Sequence, residues 1–374
     1  MTRILKVSAW ALAAFSFVAG PAAAQVTLPS DNTAYGTTSA EFLLLGASAR
    51  GMALGGAYSA LATDVSALYY NPAGIAQLSR PSAMVSSYSY IANTRYVWGG
   101  LAIPMAGGAK ALGFQIGNFG FSDQPVYTVE NPTGDGTTYN VAESFFGLSF
   151  AQNFSDRFSA GISGKVVSDK LGKTSASAWA VDFGTSFHAM AGGRPLRASF
   201  VIQNLGSSLK HTGPGLDVTV TRPPIPGQVD VPQEGQPADL RTKEWNLPVL
   251  FRVGLALDVL SMEQRRVTVL SEFNQPNNSR AGFGFGAEVM LSDLAKTGFY
   301  LAGRGSYSYQ SDNNLDIPNA PFATGQSGAE KRDGLAAGFG VGYKKGDLGL
   351  GVDYAWRSMG ILGGTNILSL SVQW

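Results

Sequence analysis

The chain has 374 residues, with 27 Lys plus Arg against 26 Asp plus Glu and no cysteine. A formal net charge of +1 leaves no basic field to attract nucleic acid, and without thiols there is no disulfide framework, thiolate nucleophile or thiolate metal site. Charged residues make up 14% of the chain and glycine occupies 47 positions, against about 25% and about 7% in ordinary soluble proteins.

Residues 1–24 carry Arg3 and Lys6, an apolar run from Val7 to Val18, and Gly20-Pro21-Ala22-Ala23-Ala24 before Gln25. This is the three-part layout of a secretory signal peptide. An uncleaved anchor would need a longer run, about 20 apolar residues. Every later hydrophobic segment is broken within about ten residues, which excludes an inner-membrane helical protein. Low charge without long apolar runs fits a membrane β-barrel, where only alternate residues meet lipid and small residues fill a crowded lumen.

Residues 25–82 do not alternate. Gly46, Gly51, Gly55 and Gly56 interrupt any long helix and permit close backbone approach. Asp64 stands where it can cap a short helix over 65–70, and Pro72 bars regular continuation while favouring a new first turn. The expectation is a set of short helical pieces joined by bends, folded inside a barrel. As an independent periplasmic domain, the alternative, a segment of about sixty residues with so small a core would be marginal.

The pieces Phe42-Leu-Leu-Leu-Gly46, Ala49-Arg50, Ala53-Leu-Gly-Gly-Ala57 and Asp64 to Gly74, the last containing Asn71-Pro72-Ala73, resemble the N-terminal hatch of the PorV/PorQ family. That family is itself similar to FadL-type outer-membrane transporters. The resemblance covers this segment, and the barrel only by architecture. It marks Phe42, Gly46, Arg50, Gly55, Gly56, Asp64, Asn71, Pro72 and Gly74 as the hatch motif. It implies either a secretion-associated barrel of type IX kind, whose partners are secreted cargo proteins or secretion components, or general outer-membrane transport. The alternative it implies is a FadL-like transporter for hydrophobic small molecules such as long-chain fatty acids. For that alternative Leu44, Met52, Leu54, Tyr58, Tyr69 and Tyr70 are candidate ligand-lining residues, with ordinary hatch-to-wall packing as the simpler account.

From Ala83 the chain reads as period-two segments near the ~9–11 residues of a tilted membrane strand. They fall at 83–90, 94–104, 109–119, 141–152, 156–168, 177–189, 195–204, 245–259, 264–273, 280–291, 296–309, 332–344, 347–357 and 365–374. Leu348, Leu350, Val352, Tyr354 and Trp356 share one face, and Gly349, Gly351, Asp353, Ala355 and Arg357 the other. Phe251, Val253 and Leu255 oppose Arg252, Gly254 and Ala256 in the same way. One face suits hydrocarbon and the other a polar interior. The fold expected is all-β: a transmembrane antiparallel β-barrel of about 14 strands over 83–374, with an N-terminal lumenal hatch of short helices over 25–82.

Connection lengths give an independent test, because barrels place short turns on the periplasmic side and longer loops outside. The long insertions near 120–140, 205–244 and 310–331 all fall on odd-numbered connections. Six prolines from Pro214 to Pro237 make 205–244 an extended excursion without a core, either a solvated spacer or a lid or partner-binding surface. The chain ends with Leu368, Leu370, Val372 and Trp374 on one face. This looks like the terminal signature handed to the barrel assembly machinery, with Trp374 as the assembly signal. Outer-membrane lipid is the other expected partner.

No chemistry stands out. His188 shares a strand face with Ser186 and Asp182, but neighbours on one face seldom converge as nucleophile, base and orienter. A hydrogen bond from His188 to the hatch is the simpler account. His211 lies in the long loop, and Gly334 to Gly342 lacks the strand-to-helix context and Lys of a phosphate loop. Lumenal Lys165, Arg252, Asp258, Glu272, Glu288, Arg304, Asp353 and Arg357 carry both signs and are expected to pair with one another or with Arg50 and Asp64. Neither enzymatic activity, nor a metal, nor another cofactor is expected.

Overall fold

The computed structural model describes residues 36–220, 235–294, 296–310 and 334–374. The signal-peptide segment 1–24, the start of the hatch segment and parts of two long connections lie outside the described residues.

The alternating segments form β1 (Ser82–Ser89), β2 (Arg95–Met105), β3 (Lys110–Pro125), β4 (Thr138–Ser155), β5 (Phe158–Leu171), β6 (Thr174–Ala191) and β7 (Arg194–Gly206). After the long connection come β10 (Leu250–Met262), β11 (Arg265–Pro276), β12 (Gly282–Leu294), β13 (Phe299–Gln310), β14 (Leu335–Lys345), β15 (Leu348–Ser358) and β16 (Gly364–Gln373). Each pairs antiparallel with the next, and β1 closes on β16 from Ser82↔Gln373 to Tyr88↔Ile367. The result is a closed barrel of fourteen strands. Closure leaves no unpaired edge, the condition for backbone polar groups in hydrocarbon.

The side-chain alternation sorts as the sequence suggested. On β15, Leu348, Leu350, Val352 and Trp356 point outward at 40–48% exposure, while Asp353 and Ala355 point inward and are buried. Phe183, Phe187, Phe283 and Phe285 are likewise exposed, opposite buried Asp182, Ser186 and Glu288. In water so many exposed aromatics would be a liability. Around a closed barrel they form the lipid-facing surface.

Two boundaries differ from expectation by five residues or more. The hairpin of β3 and β4 continues past residue 119 to Pro125 and starts back at Thr138, with an irregular register between Phe121 and Gln124. Polar alternation there is no obstacle to pairing, because that ribbon stands beyond the apolar band. β10 starts at Leu250 rather than near 245, because Pro248 has no N–H to donate to a ladder. Trp245 instead exchanges backbone hydrogen bonds with Leu209. Within the same connection β8 (Asp217–Val220) and β9 (Gln236–Asp239) form a separate two-stranded ribbon.

Apart from the two-residue turn 172–173 between β5 and β6, the shortest connections lie at one end: Ala106–Gly108 between β2 and β3, residues 156–157, 192–193 and 263–264, and residues 346–347 between β14 and β15. Both the start of β1 and Trp374, whose N–H donates to the Pro81 carbonyl at 3.1 Å, lie at that end. With those turns periplasmic, protease added to intact cells is expected to cut between β7 and β10 and to spare 106–108 and 346–347. Cleavage at the short turns instead would invert the topology.

Candidate functional site

Residues 39–78 lie inside the barrel as a chain of single turns. A 3-10 turn covers Glu41–Leu44, an α-helical turn Ala49–Ala53, another Ala67–Tyr70, and a 3-10 turn Pro72–Gln77. Ser48 caps the second by accepting from the Gly51 N–H, and Asn71 caps the last by accepting from the Ala73 N–H with Pro72 in first position. Gly55 and Gly56 sit at φ +63° and +79°, where a side chain would be strained, and turn the chain between these pieces. Asp64 is not the side-chain cap the sequence suggested. Its carboxylate accepts from the Ser66 N–H and hydroxyl two residues on, an Asx-type turn, and the helical residues start only at Ala67.

A buried charge network ties the hatch to the wall. Arg50 reaches Glu288 of β12 with two parallel hydrogen bonds of 2.8 Å, and its third nitrogen lies 3.0 Å from Asp64. Its guanidinium also lies over the Tyr58 ring, 5.3 Å from the centroid. Arg304 donates to the same Glu288 oxygen at 2.8 Å and to Asp353, while Arg266 is 3.4 Å from the other oxygen. Glu288 is fully buried. Bidentate geometry and several donors are what make such a buried carboxylate tolerable. Burial pushes the Asp64 carboxyl up, but Arg50 and the hydrogen bonds from Ser66 and Tyr58 outweigh it and hold the group below the ordinary carboxylate range. Asp64 is therefore anionic at neutral pH, and its contribution is lost only as pH falls through that lowered value.

A second tie joins Ser59 to Glu272 of β11, through its N–H at 2.8 Å and through its hydroxyl. Arg252 lies 3.6 Å from the same carboxylate. The remaining lumenal charges pair along the wall, Lys165 with Asp182 at 2.8 Å and Arg197 with Asp258. Arg357 finds no carboxylate among the described residues and contacts the Met52 sulfur.

The Asn71-Pro72-Ala73 turn is seated by wall glycines. Asn71 is buried and donates to the Ser59 and Thr185 carbonyls at 3.0 Å each. A Cβ on Gly184 would stand 2.2 Å from the Asn71 Oδ1, and one on Gly161 2.5 Å from the Pro72 carbonyl carbon. Gly74 is required for a similar reason, since its Cβ would meet the Ala62 carbonyl oxygen at 1.9 Å. Gly46 packs under Met52.

The apolar hatch side chains pack into one cluster with the wall. Met52, Leu54, Tyr58, Tyr69 and Tyr70 are buried in it, and Leu44 is half-buried. Phe42 enters an aromatic group with Phe119 and Phe145 of β3 and β4, at ring distances of 6.5 and 6.1 Å. Beneath the hatch, at the end carrying the short turns, lies a cavity of about 490 Å³ bordered by Arg50, Asp64, Met84, Tyr300, Arg304 and Asp353. None of the six candidate ligand-lining residues borders it. Of the motif residues, Arg50 and Asp64 roof this vestibule, Asn71, Pro72 and Gly74 seat the hatch against β5 and β6, and Phe42 lies near the opposite mouth.

His188 accepts from the side-chain amide of Gln77 of the hatch at 3.0 Å and lies 3.2 Å from the Ser186 hydroxyl. Asp182 is engaged by Lys165 and by the Asn204 N–H, so the three residues do not form a relay. His211 lies in the long connection, as expected, and has a partner on the wall. It sits 3.2 Å from Asp169 of β5 and draws the β7–β10 connection onto the wall. That partner was not legible, because it is distant in sequence.

No protein-family model matches the chain, and neither does any curated protein. Solved structures do match. The toluene transporter TbuX of Ralstonia pickettii superposes with a TM-score of 0.51 at 11% identity, covering 88% of this chain and 98% of that one. The Pseudomonas putida toluene transporter TodX gives 0.51 at 12% identity, over 87% and 96%. The likeness is one of fold. A closed fourteen-strand barrel of this kind, banded with outward apolar side chains, is a protein of the bacterial outer membrane.

Proposed function

We propose that this barrel transports hydrophobic small molecules across the outer membrane, with residues 36–78 acting as its gate. The observation that carries the reading is the two-part lumen. Toward the long loops it is apolar and aromatic, around Phe42, Phe119, Phe145 and Tyr69, and below the hatch it widens into the vestibule. An apolar interior lowers the barrier for an apolar solute and refuses ions. The fold shared with two toluene transporters supports the same reading. The secretion-associated reading rests on the hatch motif alone. The Trp374 assembly signal belongs to the same proposal.

Toluene uptake into proteoliposomes that enclose a hydrocarbon-trapping host tests the proposal. The reconstituted barrel is expected to accelerate uptake over protein-free vesicles without raising leakage of a hydrophilic sugar. Sugar leakage equal to hydrocarbon uptake would make the protein a general pore and overturn the reading.

A further inference from the structure

The polar handles of the lumenal aromatics divide into two groups. Tyr58 donates to Asp64 at 2.7 Å, Tyr69 to the Leu43 carbonyl at 2.8 Å, Tyr70 accepts from the Ala47 N–H at 3.2 Å, and Trp98 donates to Gln115 at 3.3 Å. Tyr88 and Tyr96 are the exception. Their hydroxyls are buried, and neither has a hydrogen-bond partner among the described residues. Orphaned buried hydroxyls are costly and rare in native interiors, so two of them side by side call for a partner.

Their placement says what kind of partner. Tyr88 and Tyr96 face each other across β1 and β2, with ring centroids 5.4 Å apart. Tyr90 lies 6.5 Å from Tyr88 and 5.9 Å from Phe119, and Phe119 is stacked at 11° on Phe42 of the hatch. The pair therefore ends an aromatic row that already accepts one ring from the hatch. That row lies where the hatch chain enters. Ser39 donates to the Asn246 carbonyl and Glu41 accepts from Asn278, both on connections at the long-loop end.

We infer that Tyr88 and Tyr96 form the polar end of a ligand subsite for an aromatic molecule bearing one hydrogen-bond acceptor, such as an aryl ketone or aldehyde. The inference rests on the transport reading and narrows its substrate class. The ring packs edge-to-face among the aromatics near Phe42, and the acceptor oxygen takes the phenol hydrogens. A site with polar groups buried for this purpose discriminates against the analogue that leaves them unpaired.

The test compares acetophenone with ethylbenzene, which replaces the carbonyl by a methylene. Binding is measured to the full-length barrel in lipid nanodiscs, with empty nanodiscs as the partition blank. Acetophenone is expected to bind about tenfold more tightly, near the worth of one net hydrogen bond. Tyr88→Phe with Tyr96→Phe, which keeps both rings, is expected to abolish the preference by weakening the ketone alone, and each single substitution to reduce it partly. Ethylbenzene bound without a ketone preference, or a preference that survives the double substitution, would overturn the inference and leave the transport reading standing. No saturable binding of either probe would remove both.

Discussion

Deleting residues 36–78, with the signal segment and all strands kept, is expected to turn a nearly non-conducting barrel into one with clear unitary conductance in planar bilayers. The hatch fills the lumen from Ser39, held at the Asn246 carbonyl, to Gln77, held at His188. The wall does not depend on it for closure, since the fourteen barrel strands pair in a complete ring. Once the hatch is gone, water replaces it around Glu272, Glu288, Arg252 and Arg304, and a polar lumen of fourteen strands becomes a channel approaching those of the roughly 16–18-stranded porins. Substituting Asn71 or Pro72 should raise conductance only partly, because the Arg50 and Ser59 ties to Glu288 and Glu272 persist. A full-length protein that already conducts like an open porin, unchanged by the deletion, would mean that the segment does not gate the lumen.

The barrel was legible because its signal is repetitive. Fourteen alternating segments and the parity of the long insertions each count strands independently, and a slip of one would reverse every face. The exceptions are local. Pro248 delays β10, and the ribbon above β3 and β4 has no membrane constraint to shape its sequence. The hatch was legible as short turns through its glycines and Pro72, yet its connections to the wall were not. That Arg50 would choose Glu288, or that Gly161 and Gly184 make room for Pro72 and Asn71, depends on where fourteen strands converge. A lumenal glycine looks the same in the sequence whether a Cβ on it would meet a hatch backbone, as at Gly161, or a side chain of the wall itself, as at Gly117 beside Phe145. The orphaned pair of Tyr88 and Tyr96 was invisible for the same reason, since whether a tyrosine is satisfied is decided by its neighbours in space.

Glu288→Gln should produce the largest loss of stability of any single substitution in the lumen. The carboxylate is fully buried and receives Arg50 through two bonds, Arg304 through one, and Arg266 at longer range. Neutralising it leaves cationic groups facing one another with only Asp64 and Asp353 to compensate, and breaking one side of a buried pair costs about 3–5 kcal/mol. Asp353→Asn should cost less, since that carboxylate serves Arg304 alone and borders the vestibule. Urea unfolding of the lipid-reconstituted protein measures both, and bilayer recordings should show brief openings in the Gln variant as the Arg50 turn loses its hold. Removing the buried cation as well, with Arg50→Met added to Glu288→Gln, should cost less than the sum of the two single changes, because the second substitution takes away a charge the first has stranded. If Glu288→Gln costs under about 1 kcal/mol, as exposed ion pairs do, or if the two changes simply add, then Glu288 is not the post on which the hatch is held.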